Sequence, residues 1–115
     1  MKFKLRRVYE SPVADDGLRV LVDRIWPRGV AKEDLKFDLW MKEVAPSTEL
    51  RKWFGHDPAK WKKFLVRYHR ELDEQPELVE KLRSLARKGN VTLLYAAKDE
   101  AHNNAVGLRG HLLER

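Results

Sequence analysis

The stretch LRVLVDRIWPRG, residues 18–29, decides the fold. Val20, Leu21 and Val22 form a continuous apolar run instead of an alternating one. Such a run predicts a strand covered on both faces, and so a central place in an α/β sheet. The run stops abruptly at Asp23 and Arg24 and passes into Trp26-Pro27-Arg28-Gly29. Charges at the end of a buried strand are costly if enclosed and useful if they face a ligand. Pro27 fixes its own φ and pushes Trp26 toward an extended conformation, so the segment reads as a stiff strut for the two arginines. Gly29 then permits a sharp turn or a close approach of backbone to ligand.

A second run of the same kind, VTLLYAA (91–97), ends in Lys98-Asp99-Glu100 and is followed by His102, Asn103 and Asn104. Between the two runs the pattern is mostly helical. Ser47 or Thr48 caps a short helix burying Leu50, Trp53 and Phe54, which Gly55 stops. Asp57 and Pro58 start a longer helix with Trp61, Phe64, Leu65, Tyr68 and Leu72 on one face. Pro76 starts the next, with Leu78, Val79, Leu82, Leu85 and Ala86 inward and a left-handed stop expected at Gly89. The tail from about Glu100 reads as a last helix, weakened by roughly 1 kcal/mol at each of Gly107 and Gly110 relative to Ala.

Two segments near the N-terminus are less regular. Residues 2–9 predict a short strand near an edge, and ESPVADDG (10–17) a loop. In 34–43, Leu35, Phe37, Leu39 and Met41 recur at period two, which predicts a strand with a helix as its competitor. Together the pattern gives an α/β fold: a single layered domain over 1–115, about four strands in a mostly parallel or mixed sheet, and helices packed on it. The first connection is too short for a helical crossover, which favours a mixed sheet or a degenerate first unit.

Composition bounds the function. Hydrophobic residues make up 43% and charged residues 37% of 115, so the chain reads as a soluble globular protein. No apolar stretch is long enough for a membrane span, and the N-terminus lacks the pattern of a secretory signal. Cysteine is absent, which removes disulfides, thiolate nucleophiles and Cys-ligated zinc and fits a cytoplasmic location. The net charge of +6 favours an anionic partner.

Open α/β sheets bind ligands beyond the carboxyl ends of their strands. If the two apolar strands are parallel neighbours, their charged ends meet at one edge. Arg24, Arg28 and Lys98 would then hold a small anionic ligand, phosphate or nucleotide-like, aided by free amides at the start of the last helix. Asn103 and Asn104 would donate hydrogen bonds, and Trp26 would stack on the ligand or pack. Asp23, Asp99 and His102 are the one acid/base set that can be drawn.

Each has a plainer reading. Asp23 could sit in a structural ion network, Asp99 could cap the last helix, and His102 could be a surface residue. His56-Asp57 is a weaker candidate, since Asp57 is fully explained as a helix cap. His69 and Asp73, at i and i+4, read as a surface ion pair. The basic row Arg51, Lys52, Lys60, Lys62, Lys63, Arg67 and Arg70 offers a second function, nucleic-acid binding or regulation through the helical face around residues 60–70. A protein-interaction module without chemistry is a third. No phosphate-loop, dinucleotide or nucleophile-elbow motif is present, no His/Cys set has zinc spacing, and the sequence leaves any cofactor unknown. The sequence does not decide between enzyme and binding protein.

The segments LVDRIWPRG (21–29), KEVAPSTELRKWFGHDPAKW (42–61), RYHREL (67–72) and VTLLYAAKDEAHNNAVGL (91–108) resemble the YeaO-like family. These are small bacterial and archaeal proteins classed as a domain of unknown function. The resemblance spans nearly the whole chain and implies a compact cytoplasmic α/β domain. It also implies larger, more distant relatives with Cys and His around the equivalent of Tyr95–Asn104. This chain has Tyr95, Asn103 and Asn104 there and no cysteine, so their thiol or metal chemistry does not carry over.

Overall fold

A computed structural model describes residues 2–114. Four strands, β1 (Phe3–Arg7), β2 (Leu18–Leu21), β3 (Leu39–Trp40) and β4 (Val91–Tyr95), form one sheet in the order β1-β4-β2-β3. Every neighbouring pair is parallel, with Leu5 opposite Leu93, Val20 opposite Leu93 and Leu21 opposite Trp40. The two continuous apolar runs are the two central strands, as their lack of alternation requires. The helices are α1 (Thr48–Phe54), α2 (Trp61–Asp73), α3 (Pro76–Lys88) and α4 (Asn104–Glu114).

The sheet is covered differently on its two faces. Val20, Val22, Val91, Leu93 and Tyr95 point into one core with Leu50, Phe54, Phe64, Tyr68, Leu72, Leu82 and Leu108, so that all four helices lie on that face. Leu21 and Leu94 point the other way, into a smaller cluster with Val8 and Leu35 that Trp26, Val30, Phe37 and Trp40 close. The second cover is therefore the long β2–β3 connection. It takes helical form only in a 3₁₀ turn at Lys32–Asp34.

This arrangement explains where the period-two segment departs from a full strand. Leu35 and Phe37 bury on the loop-covered face, whereas Leu39 and Met41 bury on the helical face. One straight strand cannot do both. Only Leu39–Trp40 pairs with β2, itself four residues long, while Asp38 binds the backbone of Arg19 through its N–H and its carboxylate.

The first connection is also resolved. β1 and β2 are parallel with β4 between them, and residues 8–17 cross that gap with a 3₁₀ turn at Ala14–Asp16 in place of a helix. Gly17 makes this possible. Its φ is +64°, and a Cβ there would lie 2.2 Å from the Asn90 carbonyl oxygen, to which Leu18 donates.

Two helix ends also differ from their sequence reading. Gly89 is extended (φ 165°), because the chain runs directly from α3 into β4. The last helix begins at Asn104, four residues later than expected. Residues before it are held in turns by Asp99, whose Oδ1 accepts from the N–H groups of Ala101 and His102.

A cation-rimmed cleft at the strand ends

β2 and β4 end side by side, and the segments after them open around one cavity of about 670 Å³. Its lining includes Asp23, Arg24, Trp26, Arg28, Lys98, Asp99, Asn103 and Asn104. Eight of the nine residues singled out in the sequence thus come together.

Asp23 is the most constrained. Its Oδ2 accepts from the Ala96 N–H and its Oδ1 from Asn104 Nδ2, both at 3.0 Å. The Asn104 amide also donates to the Val22 carbonyl, so this one side chain ties β2, β4 and α4 together. Burial pushes the Asp23 carboxyl above its ordinary value. The Asn104 and Ala96 donors and the nearby charge of His56 only partly offset this.

Arg24 holds the far wall. Its Nε donates to the Pro46 carbonyl and an Nη to that of Ala45, leaving part of the guanidinium fork toward the cavity. Arg28 and Lys98 are exposed at the rim. The Arg28 carbonyl accepts from the Tyr9 hydroxyl at 3.1 Å, which fixes its backbone. Trp26 lies edge-on to Phe37 and Trp40, both at 5.5 Å, and its indole N–H is bound by the Val30 carbonyl. It serves as a packed wall, and its polar tip is already engaged.

The start of α4 differs from the open amide cradle expected. Asn103 is buried and caps the helix, its Oδ1 accepting from the Val106 N–H and its Nδ2 donating to the Asp99 carbonyl. Asp99 caps the preceding turn. Its carboxyl is held below the ordinary value by the Ala101 N–H, then by the side chain and N–H of His102. With these amides satisfied from within, attraction for an anion falls to the cationic side chains.

His102 stands apart from the cavity lining. Its Nδ1 is 3.0 Å from Asp99 Oδ2, and its ring lies edge-on to Trp61 at 5.4 Å. Asp23 and Asp99 therefore share the cleft, and His102 touches it only through Asp99.

Arg51, read from the sequence as part of the basic row, and His56, read as a weaker candidate, both line the cavity from α1 and the turn after it. The available signal was backbone chemistry. Gly55 ends α1 in the left-handed region and His56 follows it there with φ 57°, unusual for a residue with a side chain. Arg7 was unforeseen. It donates to the Ala96 and Ala97 carbonyls and so fixes the end of β4 from the neighbouring strand.

Elsewhere, His69 meets His111 of α4, Nδ1 to Nδ1 at 2.9 Å, and Asp73 lies 3.7 Å from the other nitrogen of His111. Among the described residues, no group of three or more His, Asp or Glu is placed to hold a metal, and no helix is long and apolar enough to cross a membrane. On the basic face, Trp53 lies under both Arg67 and Lys60, at 4.2 and 5.1 Å.

Fold and site define a class: a small all-parallel α/β protein with a cation-rimmed cleft at its strand carboxyl ends. Residues 2–115 match the family model described as the inactive DUF488-N3 subclade, and the chain belongs to that family. It is 43% identical over 108 residues to the uncharacterised protein YeaO of Escherichia coli K12, covering 94% of each chain. It is 44% identical over 107 residues to an uncharacterised protein of Mycobacterium tuberculosis H37Rv, covering 93% of this chain and 90% of the relative. No solved structure matches it at a significant level.

Proposed function

We propose that the protein is a cytoplasmic binding protein for a phosphorylated or nucleotide-like anion, held in the cleft without turnover. One observation carries the reading: the ends of β2 and β4 are parallel neighbours, and Arg24, Arg28 and Lys98 beyond them, with Arg51 of α1, surround one cavity lined by only two carboxylates. Clefts lined by one excess sign focus the field and concentrate the opposite charge. Binding is favoured over acid/base catalysis because Asp23 and Asp99 are both engaged by protein donors and His102 lies outside the lining. The family's description as inactive agrees with this.

The test is a thermal-shift screen over phosphorylated metabolites and nucleotides. A ligand at about 100 times its Kd stabilises by about 2.7 kcal/mol, a shift on the order of 10 °C for a domain of this size. Arg28→Ala removes an exposed cation with no side-chain bond, so the shift should shrink while the unliganded Tm stays within about 2 °C. Arg24→Ala should also lower stability by about 1–3 kcal/mol, since two carbonyls lose a charged donor. A shift that survives both changes places the ligand elsewhere.

The competing reading rests on the exposed face of α2, where Lys62, Lys63, Arg67 and Arg70 gather and Trp53 lies under Arg67. It requires affinity for mixed DNA or RNA that falls steeply with salt.

A further inference from the structure

The anion-binding reading names a charge but not a body, and the cleft is built for both. Its cations Arg28, Arg51 and Lys98 are exposed at the rim, whereas Phe54 and Phe64, 5% and 1% exposed, form part of the floor with Pro46 and Ala96. A bare phosphate would leave that apolar floor wet. The volume of about 670 Å³ falls within the roughly 300–1,000 Å³ that enclose a whole organic ligand. Ile25, 56% exposed, adds an apolar lip beside Arg24.

The inner polar groups have the opposite chemistry from the rim. Asn104 spends both N–H bonds of its amide on the Val22 carbonyl and on Asp23, which fixes the orientation of the group and leaves its Oδ1 as an acceptor. The Asp23 carboxylate takes one donor on each oxygen, and a carboxylate has about four lone-pair sites. Two acceptors therefore stand together inside a cleft whose mouth is cationic. A ligand that satisfies this polarity carries its anion outward and N–H donors inward, with a flat apolar body between them.

Resting on the anion reading, we infer that the ligand is a nucleoside monophosphate whose base turns an N–H edge toward Asp23 and Asn104 while the phosphate meets the rim cations. Asp23 reads the base, and with Asn104 Oδ1 it presents acceptors that offer a phosphate no donor, which disfavours entry in reverse. Phe54, Phe64 and Pro46 receive the base as apolar surface.

Calorimetric titration of the full chain with GMP, AMP, CMP, ribose 5-phosphate and inorganic phosphate tests this. At least one of the three nucleotides should bind ten times or more tighter than ribose 5-phosphate, which carries the same phosphate and no base. Asp23→Asn, with its melting curve as the folding control, should reduce that ratio at least fivefold, and Asn104→Ala serves if Asp23→Asn does not fold. If ribose 5-phosphate binds as tightly as all three nucleotides, the base-reading inference falls while the anion reading stands. A ratio unchanged in the variant overturns the role of Asp23. If none of the five probes binds, the anion reading itself fails.

Discussion

His56 adopts φ 57°, a conformation that costs a residue with a Cβ on the order of 1 kcal/mol and that glycine adopts freely. Strain of this kind persists where the surroundings over-determine it, often at ligand sites. Here it sets an imidazole on the cleft wall near Asp23. His56→Gly should therefore raise stability by about 0.5–1 kcal/mol in urea unfolding and weaken binding of the phosphorylated ligand in the same preparation. Loss of stability would mean that the side chain is held by packing instead. The residue scale is also where sequence reading reached its limit. Asp23, Arg24, Arg28 and Lys98 were legible because charge at the end of an apolar run is conspicuous. The place of His56 and Arg51 in the cleft was not, because nothing in the order of residues tells that the end of α1 folds back over the ends of β2 and β4.

Among the elements, α4 and the β1–β2 connection depend most on particular residues. Gly107 faces α2, and a Cβ there would come within 3.2 Å of both Leu65 and Tyr68, whereas Gly110 faces open space. The two glycines look alike in sequence and differ only in what the packing puts opposite them. Gly110→Ala is expected to stabilise by about 0.5–1 kcal/mol through helix propensity alone. Gly17→Ala should cost more than about 3 kcal/mol or abolish folding, because both its φ and the Asn90 carbonyl oppose a side chain. Urea midpoints of the two variants check this, and a tolerated Gly17→Ala would contradict the tight β2–β4 entry. The central strands and the starts of α1 and α3 were readable from periodicity and capping chemistry, with Ser47 or Thr48 left open as the cap, whereas Asp57 caps a 3₁₀ turn at Pro58–Lys60 that precedes α2. The length of β3 was not, since alternation cannot reveal that consecutive apolar residues bury on opposite faces of the sheet. Nor could the onset of α4 be read, because Asp99 and Asn103 are both good capping residues and only the fold assigns them to successive turns.

For the whole molecule, the carboxyl groups around the sheet set the response to acid. Asp99 is held below its ordinary value of 3.8, so its contribution to stability is present above that pH and is lost as pH falls through its folded value. Asp16 behaves alike. Burial alone would raise it, but the Val13 N–H, Lys4 and Arg19 more than compensate. Asp23 has the opposite sign: raised by burial, it contributes stability below 3.8 that is lost as pH rises through its folded value. Asp99→Asn should thus be less stable than the parent protein at pH 6, and the gap should close toward pH 2 in urea titrations. A gap independent of pH would mean that the Asp99 charge takes no part. On the proposed reading the same carboxylates and cations select the ligand, and amide chemical shifts during titration with GMP, AMP and CMP in turn report that directly. Binding at the strand ends should perturb residues 23–28, 45–56, 96–104 and Phe64 in a saturable way and leave Lys62, Lys63, Arg67 and Arg70 on the exposed face of α2 unmoved. Shifts confined to the basic face of α2, or none with any of the three at millimolar concentration, would contradict it.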